Sequence, residues 1–321
     1  MARGMASRDE PLPTAGRLEL APAKVNFGLR VLGRRADGYH LIESLFVPVD
    51  LSDEVFVEIA PAPEPRVVLD CVAAPDASGL GDFPVGESNL AFRAAEAFLA
   101  AGGVDFSVSL KLVKRIPLAA GLGGGSSDAG AVLRALRALI PGALTPRRLA
   151  ALALSLGADV PFFLSPRPAL VEGIGEQVTP VGGLPELSLV LANPGESLST
   201  ASVFEAWDAL SPTLTATQPG STMRSLSDWI TPDPKDSVAH WARLSEFLRN
   251  DLEGAARQIC PSIGRIQRHL VDLGAQAVGM SGSGATSFGI FKARSEAKSA
   301  IKQLALRGEG WSRLAGTLPD G

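Results

Sequence analysis

Several things are scarce in this chain of 321 residues, and each shortage removes a class of function. Cysteine occurs twice, at Cys71 and Cys260, far apart and outside any Cys-x-x-Cys pair. That argues against a disulfide framework or a cysteine zinc site, and the expected location is a reducing cytoplasm. Aromatic residues make up 6% of the chain, with a single tyrosine, Tyr39. Stacking platforms for single-stranded nucleic acid need several aromatics set in basic grooves. An excess of basic charge is missing as well. The formal net charge is −4 and the pI about 5.5, so no global surface for phosphate backbones is expected, and no nucleic-acid partner. No run of 18 apolar residues occurs; the longest candidate, 149–166, is interrupted by Asp159 and Pro161. The N-terminal MARGMASRDEPLPTAG has no apolar stretch and does not read as a secretory signal. No membrane is expected as a partner.

What is present suits a globular chain. Hydrophobic residues reach 46%, and the length fits two domains at roughly 150 residues each. The 34 glycines and 24 prolines promise many turns and close backbone approaches. Residues 1–16 read as a disordered tail. Val25, Phe27, Leu29 and Val31 alternate with Asn26, Gly28 and Arg30, which predicts a half-buried strand with Lys24 on the face of Asn26. GRRADGYH is a turn. Strands are expected at Phe46 to Leu51, Val55 to Ile59 and Phe106 to Leu112, and a helix from Asn89 to Ala101. Val132, Leu133, Leu136, Leu139 and Ile140 have helical spacing. Thr145 as N-cap, Pro146 at the first position and Gly157 beyond the last turn bracket a further helix. The second half restarts with a strand at Leu187 to Ala192 and a helix at Thr200 to Leu210. An irregular stretch covers 211–238. Helices are expected at Trp241 to Ile259, Pro261 to Leu273 and Ser295 to Leu306, with a hairpin from Val278 to Phe291. Strands and helices without a regular βαβ repeat predict an α+β fold. The division is a tail of 1–16, an N-terminal domain of 17–170 and a C-terminal domain of 171–321.

The chemical centre is Gly121-Leu122-Gly123-Gly124-Gly125-Ser126-Ser127, between a strand and a helix. Four glycines in five positions let backbone N–H groups approach a ligand, and the helix behind them points its positive end at it. This is a phosphate cradle, to which Ser126 and Ser127 add hydroxyls that can also face a magnesium ion. The plainer alternative is a flexible turn with a serine or Asp128 as a cap. Familiar cradles do not match. There is no Gly-Lys dipeptide, the third anchor of a dinucleotide fingerprint is Ser126, and Asp82-Phe83 continues into Pro84. Neither HExxH nor GxSxG occurs.

PLAAGLGGGSSDAG resembles the phosphate loop of the galactokinase, homoserine kinase, mevalonate kinase and phosphomevalonate kinase superfamily. APAKVNFGLRVLGRRADGYHLIES at 21–44, GADVPFF at 157–163 and MSGSGATSF at 280–288 follow the same resemblance in order, over residues 18 to 306. These motifs narrow it to the branch whose substrate carries a cytidine diphosphate, in non-mevalonate isoprenoid biosynthesis. The resemblance implies a two-domain small-molecule kinase, ribosomal-S5-domain-2-like at the N-terminus and ferredoxin-like at the C-terminus. It implies ATP as co-substrate, Mg2+, a small-molecule substrate, and a monomer or homodimer.

The same resemblance implies roles for individual residues. Asp159 accepts or orients the proton of the substrate hydroxyl, with Lys24 beside it stabilising developing negative charge. An N-cap is the structural alternative for Asp159. The ATP-binding set comprises Asn89, Lys114, Pro117, Leu118, Ala119, Ala120 and the loop from Gly121 through Leu122, Gly123, Gly124, Gly125 and Ser126 to Ser127. Asn89 could equally be a helix cap and Lys114 a surface charge. On the substrate side, Tyr39 stacks on cytosine, His40 reads the base edge, Phe204 closes the other ring face with Thr200 nearby, and Asn26 bonds substrate or Asp159. Phe204 could equally pack its own helix.

Overall fold

A computed structural model of the chain describes residues 14–75, 77, 83–210 and 244–318. Ten strands, in two sheets, and seven α-helices are assigned among them, besides a helical stretch at 244–247. The first sheet grows from one long hairpin, β1 (Ala15–Arg34) and β2 (His40–Pro61), joined by the Asp-Gly turn. Pairing runs from Ala15 opposite Ile59 to Arg34 opposite His40, with register shifts at Pro22/Lys24, Phe27/Leu29 and Val31/Gly33. β1 thus starts before the expected Arg17, and residues 1–13 of the expected tail lie outside the described residues. The two strands expected at 46–51 and 55–59 are parts of the one strand β2. On its other edge β2 pairs antiparallel with β4 (Phe106–Lys114) through residues 54–61 and with β5 (Ala169–Gly173) through residues 42–46. β3 (Arg66–Ala73) lies parallel to β4, and β6 (Gln177–Pro180) antiparallel to β5. Because β5 and β6 complete the first sheet, the change of sheet falls between Pro180 and Ser188, past residue 170.

Three helices cover this sheet: α1 (Leu90–Gly102), α2 (Gly124–Leu139) and α3 (Pro146–Leu156). Their caps follow local chemistry. Asn89 Oδ1 accepts the Ala91 N–H at 2.9 Å, and Thr145 Oγ1 accepts that of Arg148 at 3.3 Å. Phe98, Val132, Leu133 and Leu136 enter a core with Val55, Val57, Leu110 and Leu112. α2 packs unusually close, because a Cβ at Gly130 would fall 2.5 Å from Phe163 Cβ.

The second sheet has the order β10-β7-β9-β8, with β7 (Ser188–Asn193), β8 (Ala277–Met280), β9 (Ser287–Phe291) and β10 (Trp311–Gly316), all antiparallel. Helices α4 (Thr200–Leu210), α5 (Glu253–Ile259) and α6 (Ser262–Asp272) lie between β7 and β8, and α7 (Arg294–Leu306) between β9 and β10. The strand-helix-strand-strand-helix-strand order is that of a ferredoxin-like sandwich. The single helix expected from Trp241 to Ile259 is broken. Helix covers residues 244–247, then Asn250 bridges Leu29 of β1 and α5 starts at Glu253. The Asn250 side chain turns to the Met280 and Gly282 carbonyls, at 3.0 and 2.7 Å, and tertiary contact overrides helix propensity there. Trp241 and the stretch 211–238 lie outside the described residues, as does Asp82.

The two sheets share a core. Phe27 stacks on Phe288 with centroids 5.4 Å apart, and Val25, Val47, Leu189, Leu191 and Ile290 surround them. Interior burial of this kind holds the two halves as one packed unit.

Candidate active site

A cleft of about 710 Å³ is lined from β1, β2, the loop between β4 and α2, the segment after α3, α4 and the β8–β9 turn. Its floor is set by backbone geometry. Gly123 has φ +71 and caps α2 without any side chain, so α2 begins inside the glycine cluster at Gly124, earlier than its apolar spacing suggests. Ser127 N–H makes the first intrahelical bond, to the Gly123 carbonyl at 2.8 Å. The N–H groups of Gly124, Gly125 and Ser126 precede it and have no partner in the helix. A Cβ at Gly124 would fall 2.9 Å from Ile116 Cγ2, but one at Gly125 would meet nothing within 4 Å, so the turn faces open space at Gly125. An uncapped N-terminus of a 16-residue helix beside open volume fits a phosphate. Gly121 is held for a different reason. Its φ is +75, and a Cβ there would sit 2.4 Å from the Ser281 carbonyl, so the β8–β9 turn lies directly on the loop.

Lys24 lies beneath that loop. Its N–H donates to the Leu122 carbonyl at 3.0 Å, and a Cβ on Gly123 would be 3.2 Å from Lys24 Cγ. The Lys24 ammonium donates to Asn26 Oδ1 at 2.7 Å, lies 4.4 Å from the Phe46 ring centroid, and stands 3.5 Å from Asp159 Oδ2. Lys24 and Asn26 thus share a face, as their spacing in β1 predicts. Lys24 is 3% exposed, whereas the Asp159 side chain is 30% exposed into the cleft. Asp159 caps nothing. The 3-10 turn Phe162–Leu164 behind it starts from Pro161 with no side-chain cap. Asn26 also bonds to residues outside the Lys24–Asp159 pair. It donates to Ser44 Oγ at 2.8 Å and accepts from Gly282 N–H at 2.8 Å and Ser281 Oγ at 3.3 Å. The glycine-serine turn at 281–284 therefore docks the second sheet onto β1.

Other expected residues land differently. Lys114 is neither a surface charge nor a free cation. It is buried, and its ammonium donates to Asp53 and Asp128. Burial works against its charge, yet the Asp128 and Asp53 carboxylates outweigh burial and raise its pKa. Burial pushes the Asp128 carboxyl up to about 7, with the Lys114 charge opposing and the Asp53 charge adding. Asp53 also accepts the N–H groups of Arg115 and Ile116, the latter at 2.9 Å, and so ties the end of β4 to β2. Ser127 is buried, its hydroxyl donating to the Pro22 carbonyl at 2.7 Å. Asn89 spends its oxygen on the α1 cap and its amide on the Pro84 carbonyl at 3.0 Å. Of the expected nucleotide set, Pro117, Leu118, Ala119, Ala120, Gly121, Leu122, Gly123, Gly124, Gly125 and Ser126 line the cleft, as does part of Lys114. Asn89 and Ser127 do not.

The opposite end is aromatic. Tyr39 is 60% exposed at the hairpin turn. His40 stacks on Phe204, with centroids 4.5 Å apart and planes at 17°, and meets Trp207 edge-on at 5.6 Å. Thr200 Oγ1 and Ser283 Oγ share a hydrogen bond of 3.0 Å. The sequence did not point to Arg34 and Asp208, which belong to this wall. Asp208 lies one helical turn after Phe204, and that spacing is the signal that could have found it. Among the described residues no group of three or more metal-ligating side chains occurs, and no helix is long and apolar enough to cross a membrane.

Two α+β halves, an uncapped helix N-terminus in a glycine loop, and an ammonium–carboxylate pair beneath it define an ATP-dependent small-molecule kinase. Comparison with known proteins agrees. Residues 89–167 match the GHMP kinases N terminal domain, and residues 236–310 match GHMP kinases C terminal. The chain is 42% identical to a 4-diphosphocytidyl-2-C-methyl-D-erythritol kinase of Paracoccus denitrificans, over 92% of this chain and 94% of that protein. It is 38% identical to the one from Citrifermentans bemidjiense, over 92% and 96%. A crystal structure of 4-(cytidine 5'-diphospho)-2C-methyl-D-erythritol kinase superposes with a TM-score of 0.71 at 37% identity, over 95% of this chain and 100% of that one. L. major mevalonate kinase shares the fold, with a TM-score of 0.68 at 16% identity. The chain belongs to the 4-diphosphocytidyl-2-C-methyl-D-erythritol kinase family of the GHMP kinases.

Proposed function

We propose that the protein transfers the γ-phosphoryl group of ATP to the 2-hydroxyl of 4-(cytidine 5'-diphospho)-2-C-methyl-D-erythritol, giving the 2-phosphate and ADP, in non-mevalonate isoprenoid precursor biosynthesis. The observation that carries this reading is the Lys24–Asp159 pair at 3.5 Å, lining one cleft with the open first turn of α2. The N–H groups of Gly124, Gly125 and Ser126 hold the phosphates of ATP in the field of the helix. The substrate oxygen attacks the γ-phosphorus while the bond to the bridging oxygen of ADP breaks, and Asp159 takes or orients the departing proton. The Lys24 ammonium, fixed by Asn26, faces the charge that spreads over the transferring group. Magnesium fits as an ion carried on the nucleotide. Most of its oxygen ligands would come from phosphates and water, and the Ser126 hydroxyl in the cleft wall would be a suitable protein oxygen.

At the far end, Tyr39, His40 and Phe204 form the wall for the cytosine ring, which leaves the polyol lying toward Asp159. Residues 17 to about 180 then form the nucleotide-binding half and the remainder the ferredoxin-like half. The protein works in the cytoplasm. Turnover of ATP measured in parallel with the cytidine substrate, mevalonate and homoserine tests the reading. Activity confined to the first supports it. Equal activity on all three, or none on the first, overturns it.

A further inference from the structure

One guanidinium outside the cleft joins the three elements that carry the proposed chemistry. Arg134 lies on α2, and its side chain is 13% exposed. Its Nη2 donates to the Leu20 carbonyl at 2.6 Å, on β1, the strand that carries Lys24. Its Nη1 donates to the Phe163 carbonyl, just beyond Asp159 in the 3-10 turn. Its Nε donates to Glu19 Oε2 at 3.0 Å, and Arg17 Nε holds the other oxygen of Glu19 at 2.6 Å. Phe163 carries this contact onward to the phosphate loop. A Cβ at Gly123 would lie 3.0 Å from the Phe163 ring and 3.2 Å from Lys24 Cγ. One at Gly130, a helical turn before Arg134, would lie 2.9 Å from the Phe163 carbonyl oxygen. The segment after α3 has bonds of its own, from Val160 N–H to the Gly157 carbonyl at 3.1 Å and from Phe163 N–H to the Val160 carbonyl at 3.0 Å. These set its local shape and not its place against β1.

We propose that Arg134 is a positioning residue for phosphoryl transfer, which ties α2, β1 and the 157–165 segment together and so sets Asp159 against Lys24 and the phosphate loop. A guanidinium is a rigid planar fork of donors, so acceptors on separate segments that share one fork have fixed relative places. A lysine ammonium on its flexible stem defines no such plane. Burial works against the Arg134 charge and lowers its pKa, while the Glu19 carboxylate opposes that shift. A buried cation is a poor source of stability beside an apolar side chain of the same size. What the fork supplies is geometry, and a misplacement of about 1 Å at the reacting groups costs on the order of 10²-fold in rate. This inference rests on the roles proposed above for Lys24 and Asp159, and names the group that holds them in register.

The test compares the wild type with Arg134→Lys, Glu19→Gln and Phe98→Leu. It reads kcat, KM for ATP and for the cytidine substrate, the denaturant midpoint, and amide hydrogen exchange of residues 157–165 by mass spectrometry. Arg134→Lys keeps the charge and loses the fork. Its kcat is expected to fall about tenfold to a hundredfold with both KM values nearly unchanged, and exchange in 157–165 to quicken. Glu19→Gln, which loosens the fork from one side, should lower kcat by a few fold in the same pattern. Phe98→Leu removes volume from the core beneath the first sheet and leaves the fork intact. It should lose stability while kcat and the exchange of 157–165 stay at their wild-type values. A near-normal kcat in Arg134→Lys, or a kcat that simply follows stability across the three variants, overturns the proposal. If Arg134→Lys does not fold, Glu19→Gln decides by the same readings. Wild-type turnover by Asp159→Asn would defeat the role given to Asp159 instead. Hydrogen exchange then decides whether Arg134 holds the segment: faster exchange in Arg134→Lys supports the tie, and unchanged exchange overturns it.

Discussion

The two ends of the cleft are built on opposite plans. At the phosphate end nearly every polar group is buried and bonded: Lys24 to Asn26 and Asp159, Asn26 to Ser44 and Gly282, Lys114 to Asp53 and Asp128. At the proposed base end Tyr39 stands exposed, beside the stacked His40 and Phe204 rings and the partly exposed Asp208 carboxylate. Transfer of a charged group needs fixed dipoles whose orientation costs nothing at the moment of reaction. Holding a flat, neutral ring needs mainly area and one correctly protonated edge. Damage at the first end should therefore appear in kcat or stability, and damage at the second in KM.

The largest expected effect is on Asp159→Asn. Turnover should fall about 10²- to 10⁴-fold while ATP still binds, as read by steady-state kinetics beside nucleotide titration. Near-normal turnover would remove Asp159 from the chemistry and weaken the contrast. Gly121→Ala comes next, because its Cβ would meet the Ser281 carbonyl at 2.4 Å in a left-handed backbone. A loss of about 2–5 kcal/mol is expected in denaturant unfolding. At the base end, Tyr39→Leu should raise KM for the cytidine substrate about tenfold and leave kcat and KM for ATP nearly untouched. A fall in kcat instead would mean that the two ends are coupled.

The smallest effect concerns Asp128. Its carboxyl lies near 7 when folded against an unfolded value near 4, because burial disfavours the charge. The folded protein holds that proton more tightly, so this residue's contribution to stability falls as pH rises from about 4 to about 7. Asp128→Asn cannot titrate. Melting temperatures of variant and wild type should shift relative to one another in the variant's favour across that window, by the equivalent of about 1–2 kcal/mol, and run parallel above it. Parallel curves throughout would show that Lys114 offsets burial and leaves the Asp128 carboxyl binding its proton no more tightly than in the unfolded chain.

Much of this was legible residue by residue. Period-two alternation marked β1 and β4, the Thr145–Pro146–Gly157 punctuation marked α3, and the run of glycines marked the phosphate loop. Short strands were not legible. β3, β5, β6 and β10 have little alternation of their own and exist because a partner edge waits for them. The break at Asn250 was hidden for the same reason, since its stabilising carbonyls lie 30 and 32 residues away.

Within the cleft, contiguous motifs in the sequence pointed to Lys24, Asp159, the loop, Tyr39 and His40, and all of these line it. The sequence could not decide between charge and clamp at Lys114, whose partners are 61 and 14 residues distant. Nor could it separate ligand from packing at Phe204, or find Asp208.

By itself, then, the sequence determined which backbone and charged groups are on hand for the proposed phosphate binding and transfer, since backbone freedom and local charge are properties of consecutive residues. Only the tertiary structure decided which of those groups are free to act. Burial and hydrogen bonding are set by residues far apart in the chain, and they turn Ser127, Asn89 and Lys114 inward while leaving Asp159 open to the cleft.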